Sequence, residues 1–163
     1  MKLPIVTGDV PILRRKAEKI RNVDDRIRNL AADMHETLAD AAGVGLAAPQ
    51  IGVSERLVVV NVPANYLEEG QETITLTLVN PEIVTASGEQ YGSEGCLSLP
   101  GIVASLPRSE RVTVRWHDLD GARHRVTAHG EYAKIFQHEI DHLDGILFLD
   151  RVIDKSTIKR RKE

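Results

Sequence analysis

Residues 137–142 read Gln-His-Glu-Ile-Asp-His, and this short stretch restricts the fold more than any other part of the chain. On a helix, His138 and His142 stand one turn apart on a single face, with Glu139 about 100° round the axis. That spacing lets two imidazoles bind one metal ion while the glutamate reaches a water held by the ion. Ile135, Phe136, Ile140 and Leu143 surround the motif, so the helix is expected to pack into a core. A solvated face that happens to carry two histidines and two acids is the alternative, and the apolar company argues against it. Burying two imidazoles and a carboxylate without partners costs several kcal/mol. A metal supplies the missing partner.

A catalytic site of the zinc type takes three protein ligands and keeps one position open. Downstream of His142 the chain has no further histidine, and its only glutamate is the terminal Glu163. The third ligand is therefore Asp144, Asp150 or Asp154, or it comes from upstream. Upstream stands Cys96, the only cysteine. A single cysteine makes no internal disulfide, so no such cross-link holds the fold. Its surroundings, Glu94-Gly95-Cys96-Leu97-Ser98-Leu99-Pro100-Gly101, predict a tightly turned backbone rather than a regular core strand. The thiol is an inert core side chain, a nucleophile paired with His138 or His142, or a metal ligand. An inert cysteine has no need of that setting, and a nucleophile leaves the histidine pair and Glu139 unexplained. The third reading uses them all: Cys96, His138 and His142 as ligands, with water in the fourth position. A metal-bound thiolate is deprotonated, and its charge tempers the Lewis acidity of the ion.

The remaining sequence is that of an ordinary globular protein. With 163 residues, 42% of them hydrophobic and 28% charged, one domain is the default and disorder is excluded. A net charge of −3 gives no reason to expect DNA or a membrane as partner. No apolar run approaches the ~18 residues of a spanning helix. The opening MKLPIVTGDV, broken by Pro4, lacks a signal peptide's apolar stretch, so a cytoplasmic location and a monomer are expected.

Residues 23–42 predict an amphipathic helix through Ile27, Leu30, Met34 and Leu38, capped by Asp24 or Asp25 and ended by Gly43 and Gly45. Residues 43–52 predict a tight loop or short strand. Residues 56–62 and 73–84 predict strands, and 111–116 and 124–128 a hairpin around Asp118-Leu119-Asp120-Gly121. The histidine helix spans 130–143 and stops at Gly145, followed by a short strand at 146–149. The expected class is α+β: antiparallel strands packed around a central metal-binding helix, with 1–163 one catalytic domain and 154–163 a basic tail, read as a short helix.

Three motifs, GVGLAAPQ at 43–50, EGCLS at 94–98 and HEIDH at 138–142, resemble the signature motifs of the peptide deformylases, in the same order. The resemblance covers about residues 3–151. It implies a deformylase-like fold and a metal-dependent amidase that removes the N-formyl group from the starting methionine of nascent proteins, releasing formate. The ligands would be Cys96, His138 and His142, and the usual working metal iron(II), with zinc, nickel or cobalt also suited to the donor set. Hydrolysis needs a hydroxide equivalent near neutral pH, which a metal can generate. Glu139 is placed as general base and then general acid. The resemblance further implies that the Gln50 side-chain amide and the Leu97 backbone N–H stabilise the oxyanion. It gives the backbones of Val44, Gly45, Glu94 and Gly95 the task of binding the peptide in an extended pose. Part of the methionine pocket is expected near Ile135, and Asp141 is expected either to pair with Arg108, holding the helix to the cysteine loop, or to form a plain surface pair.

Two departures stand out. Some bacterial relatives carry an arginine that contacts the peptide where this chain has Val103, which makes no such polar contact. The tail is also shorter than in relatives that dock a long final helix on the ribosome. Lys155, Lys159, Arg160, Arg161 and Lys162 are left either for transient contact with ribosomal RNA or as a solvated basic end. Two other functions compete. A metallopeptidase would take a carboxylate third ligand and cut internal peptide bonds. A structural metal site would be closed by a fourth protein ligand and have no use for Glu139 or Gln50.

Overall fold

The structure, a computed structural model, describes residues 1–161. Lys162 and Glu163 lie outside the described residues, so the expected tail can be followed only as far as Arg161. Five antiparallel strands, numbered along the chain, form the main sheet in the order β1 (Gly45–Ala47), β2 (Leu57–Val62), β3 (Ile74–Ser87), β6 (Arg111–His117) and β7 (Arg123–His129). A second sheet joins β4 (Gln90–Cys96), β5 (Leu99–Arg108) and β8 (Lys159–Arg160). The helices are α1 (Pro11–Arg14), α2 (Asp25–Asp40) and α3 (Gly130–Leu143).

The run Leu57-Val58-Val59-Val60 explains the layering. Successive side chains of a strand point to opposite faces, and both faces of β2 are covered. Leu57 and Val59 pack with Ile27, Met34 and Leu38 of α2. Val58, Val60 and Val62 pack with Phe136, Ile140 and Leu143 of α3. The main sheet is thus held between two helices, and α3 is buried along most of its length. A third cluster seats Leu13 of α1 with Leu106 of β5 and with Leu147 and Phe148 beyond α3.

The expected α+β architecture, both long helices, the β6–β7 hairpin and the first strands are present. Asp24 caps α2 by accepting the Ile27 N–H at 3.1 Å. The expected end of α2 is corrected: Ala42, not a glycine, takes the left-handed conformation (φ 53°). Gly43 serves for space instead, since a Cβ there would meet Leu38 Cδ1 at 2.9 Å. The expected strand at 146–149 is absent. Leu147 and Phe148 are buried with Leu106 of β5 as an apolar anchor, and the chain coils into a 3-10 turn at Phe148–Arg151. The tail forms a 3-10 turn at Lys155–Thr157 and then β8, rather than a helix alone. Where the sequence predicts only a tightly turned backbone, β4 and β5 pair as a hairpin. Pro100 and Pro107 stand where β5 is paired on one side only, since β8 reaches just Ile102 and Val103.

Gly145 fixes how α3 ends. Its φ is +75°, and a Cβ there would collide with the Arg14 carbonyl, where α1 crosses the end of α3. Gly121, in the β6–β7 turn, has φ +86° but nothing within 4 Å. Gly121→Ala is therefore expected to cost about 1 kcal/mol from backbone conformation alone. Gly145→Ala adds a backbone clash and is expected to cost roughly 2 kcal/mol or more. Denaturant unfolding of both variants checks this, and equal losses would refute the steric contribution.

Candidate metal centre

Two elements meet at this centre. The first is the turn of the β4–β5 hairpin, where Cys96 ends β4 and pairs with Leu99. This corrects the expectation that Cys96 lies outside regular strand: it is the last strand residue, at the turn. Between the pairs Gly95–Val103 and Cys96–Leu99 the register jumps, so β5 bulges opposite the cysteine. A bulge of this kind re-aims the adjoining side chains. The second element is α3, whose spacing sets His138 and His142 on one face.

Cys96 Sγ and one nitrogen from each of His138 and His142 lie within 4.8 Å of one another. Cys96 Sγ is 3.3 Å from His142 Nε2. Ligand distances of about 2.0–2.3 Å give donor separations of this order, so the three residues fit a single ion. The downstream aspartates do not converge here. Asp144 pairs with Arg56 at 3.0 Å, Asp150 pairs with Arg14, and Asp154 accepts the Ser156 N–H at 3.0 Å.

A buried ionic network orients the histidine. His138 Nδ1 lies 2.8 Å from Glu94 Oε1, which leaves its other nitrogen for an ion. Arg108 donates from Nε and Nη2 to the two oxygens of Glu94 at 2.8 and 2.9 Å. From Nη1 it donates to Asp141 Oδ2 at 2.6 Å, and Arg151 closes the chain on Asp141 at 2.5 and 2.8 Å. The expected Arg108–Asp141 pair is therefore present. It is no surface pair, because the Arg108 side chain is 3% exposed. Burial opposes ionisation of Glu94, but Arg108 and His138 outweigh it and hold the carboxyl down to about 2. Burial likewise opposes charge on His138, yet hydrogen bonding to Cys96 and the charge of Glu139 bring it up to about 10. Burial takes His142 well below the ordinary imidazole value.

Glu139 is 4% exposed, and its Oε1 has no partner among the described residues. Burial pushes its carboxyl up to about 7, with His138 opposing. A carboxylate of that kind exchanges protons near neutrality. Gly45 makes the room for it: a Cβ there would sit 2.6 Å from Glu139 Oε2. Gln50 is 1% exposed, and its Oε1 accepts the Ala47 N–H at 2.9 Å. That bond places the amide nitrogen on the Cys96 side, 3.5 Å from Sγ and 3.2 Å from Ser98 Oγ.

A cavity of about 720 Å³ opens over these groups. Val44, Gly45, Gln50, Glu94, Gly95, Cys96, Leu97, His138 and Glu139 all line it, as do Ile135 and Val103. His142 lies behind this surface, 1% exposed. The Val44 carbonyl already accepts the Asn61 N–H at 2.8 Å. Sequence reasoning missed the side-chain task of Glu94, the Ser98 hydroxyl, Arg151, Lys134 and Arg161. Glu94 and Ser98 lie within the EGCLS motif, and Arg161 within the basic tail, but side-chain contacts with other elements leave no mark on the local pattern.

A family model described as polypeptide deformylase matches residues 2–157. The chain is 55% identical over 155 residues to the peptide deformylase of Thermomicrobium roseum, an alignment covering 95% of this chain and 88% of the other. It is similar to the solved peptide deformylase of Thermus thermophilus, with 45% identity, TM-score 0.83 and coverage of 93% and 86% of the two chains. A Met-Ala-Ser-bound class I type b peptide deformylase from Acinetobacter baumannii matches with 35% identity, TM-score 0.85 and coverage of 93% and 99%.

Glu94→Gln is expected to weaken metal binding about 10- to 100-fold, measured by competition with a chelator. The same variant reports on acid stability. Because the folded carboxyl sits at about 2 against an ordinary 4.5, its contribution is full above 4.5 and is lost as pH falls toward 2. Metal-free Glu94→Gln should lack that part of the stability–pH slope. An unchanged slope would show that Glu94 is not held by Arg108 in solution.

Proposed function

The chain belongs to the polypeptide deformylase family, and on that premise we propose how its own residues remove the N-formyl group of nascent proteins. It is a hydrolase acting on the N-formyl amide bond, in a family that depends on a metal. Cys96, His138 and His142 would hold the ion. A bound ion would supply Lewis acidity to the attacking water. One thiolate and two imidazoles suit iron(II), zinc, nickel and cobalt alike, and iron(II) is proposed on the family resemblance. A thiolate facing water would then make Cys96 sensitive to oxidation.

Glu139 takes the proton of the attacking water and later delivers one to the departing amine, so the C–N bond breaks and formate leaves. As the formyl carbon becomes tetrahedral, charge develops on its oxygen. The Gln50 amide and the Leu97 N–H are proposed to donate to it. In support, Gln50 is already oriented by its bond to Ala47, so the donor needs no reorganisation during reaction. The peptide runs extended between the backbones of Val44–Gly45 and Glu94–Gly95, all on the cavity wall, with Ile135 beside the methionine side chain. The Met-Ala-Ser bound to the Acinetobacter relative is of the class of product this reaction leaves.

The observation that carries this reading is the convergence of Cys96, His138 and His142 beside a buried carboxylate. We further assign the protein to the cytoplasm, where formylated chains emerge, as a monomer with transient ribosome contact through exposed Lys155, Lys159 and Arg160. Among the described residues no helix is long and apolar enough to cross a membrane.

Formate release from formyl-Met-Ala-Ser, measured for protein loaded with iron(II) without oxygen and for the zinc form, tests the reading. Release is expected from both, faster with iron, and none from either would overturn it. Glu139→Ala should keep its metal and lose hydrolysis; unchanged hydrolysis would remove Glu139 as the base. Gln50→Ala is expected to lose about 100- to 1000-fold in kcat. Cys96→Ser should lose metal and activity together, whereas a carboxylate-ligated peptidase would keep its metal.

A further inference from the structure

Up to Arg161 the basic tail is attached to the fold, and Arg161 reaches the cavity. β8 lies on the edge of β5, with Arg160 paired to Ile102 and Lys159 to Val103. Before it, Thr157 Oγ1 accepts the Ser105 N–H at 3.1 Å and lies 3.3 Å from the Ser105 carbonyl. After it, the Arg161 N–H donates to the Gly101 carbonyl at 2.6 Å. Three attachments therefore fix the backbone up to Arg161, and Arg161 lines the cavity that holds Cys96, His138 and Glu139.

The charges around that cavity are unequal in kind. Lys134 is buried and held by Glu131 at 3.2 Å. Glu94 is consumed by Arg108 and His138. Arg161 is exposed, and no ion pair among the described residues uses it. Elsewhere on the wall, Val103 offers only an apolar surface. A guanidinium presents a planar fork of N–H donors that matches a carboxylate and repels an ammonium.

We propose that Arg161 is a specificity-determining residue, favouring peptides with a carboxylate in the segment that follows formyl-methionine over peptides with a lysine there. The proposal rests on the deformylase reading. It gives part of the C-terminal tail a task in substrate choice that is separate from any contact with the ribosome.

The test uses C-terminally amidated formyl-Met-Ala-Ser-Ala with Asp or Lys placed in turn at the second, third and fourth positions. Amidation removes the terminal carboxylate, and the free acid is run alongside to separate a chain-end effect from a side-chain effect. In wild type, Asp is expected to exceed Lys in kcat/KM by roughly threefold in at least one position, mainly through KM. Arg161→Ala should level that ranking and Arg161→Glu should invert it. Arg160→Ala removes the same charge from a neighbour that does not line the cavity, and should leave the ranking as it was. The proposal fails if wild type and Arg161→Ala rank the peptides alike. It fails also if Arg160→Ala levels the ranking equally, or if only the free terminal carboxylate responds. Absence of formate from the neutral peptide with wild type would instead strike the deformylase reading itself. Matched thermal midpoints separate a loss of preference from a loss of fold.

Discussion

Arg108 joins the second sheet to α3. Its guanidinium reaches from the end of β5 to Glu94 on β4 and to Asp141 on α3, and its side chain is 3% exposed. Buried ion pairs of this kind add little net stability, because desolvation offsets most of the attraction. Removing one partner is another matter: it strands a buried charge, at a typical cost of about 3–5 kcal/mol. The network therefore acts as a constraint on position. It ties the cysteine hairpin to the histidine helix at the one place where their side chains must converge.

The same network reaches the chemistry. Glu94 is held by Arg108 on one side and faces His138 Nδ1 on the other, so orientation of the imidazole and attachment of the hairpin are a single arrangement. Close packing completes it. The bare Cα of Gly45 lets β1 lie against the Glu139 side chain. That contact keeps the carboxylate buried, which is what raises its proton affinity toward neutrality. A glycine usually explained by backbone freedom is required here by the volume of its neighbour.

Local pattern served well where the physics was local. The helix over Gly130–Leu143 was legible from apolar spacing and a glycine stop, and its histidines shared a face for the same geometric reason. The Asp118 turn was legible because its side chain satisfies backbone N–H groups two and four residues on. The β4–β5 hairpin was not. Gly92, Gly95, Pro100, Gly101 and Pro107 weaken every strand signal, and only pairing across the hairpin fixes the backbone. The apolar run after Gly145 misled in the opposite direction: strand-like residues were recruited as an anchor on β5.

By itself the sequence determined the α+β class, the histidine helix and the shared face of His138 and His142, and it nominated Cys96 as third ligand and Glu139 as base. The helix and its shared face follow from residue type and from spacing within a single element. Only the tertiary structure decided the task of the Glu94 side chain, the burial of Arg108 and the arrival of Arg161 at the cavity. Each of these joins residues from separate elements: Glu94 and Arg108 lie 14 positions apart along the chain, and Arg108 and Asp141 lie 33 apart. Side-chain contacts over such separations are set by how sheets and helices pack, and no periodicity along the chain encodes them.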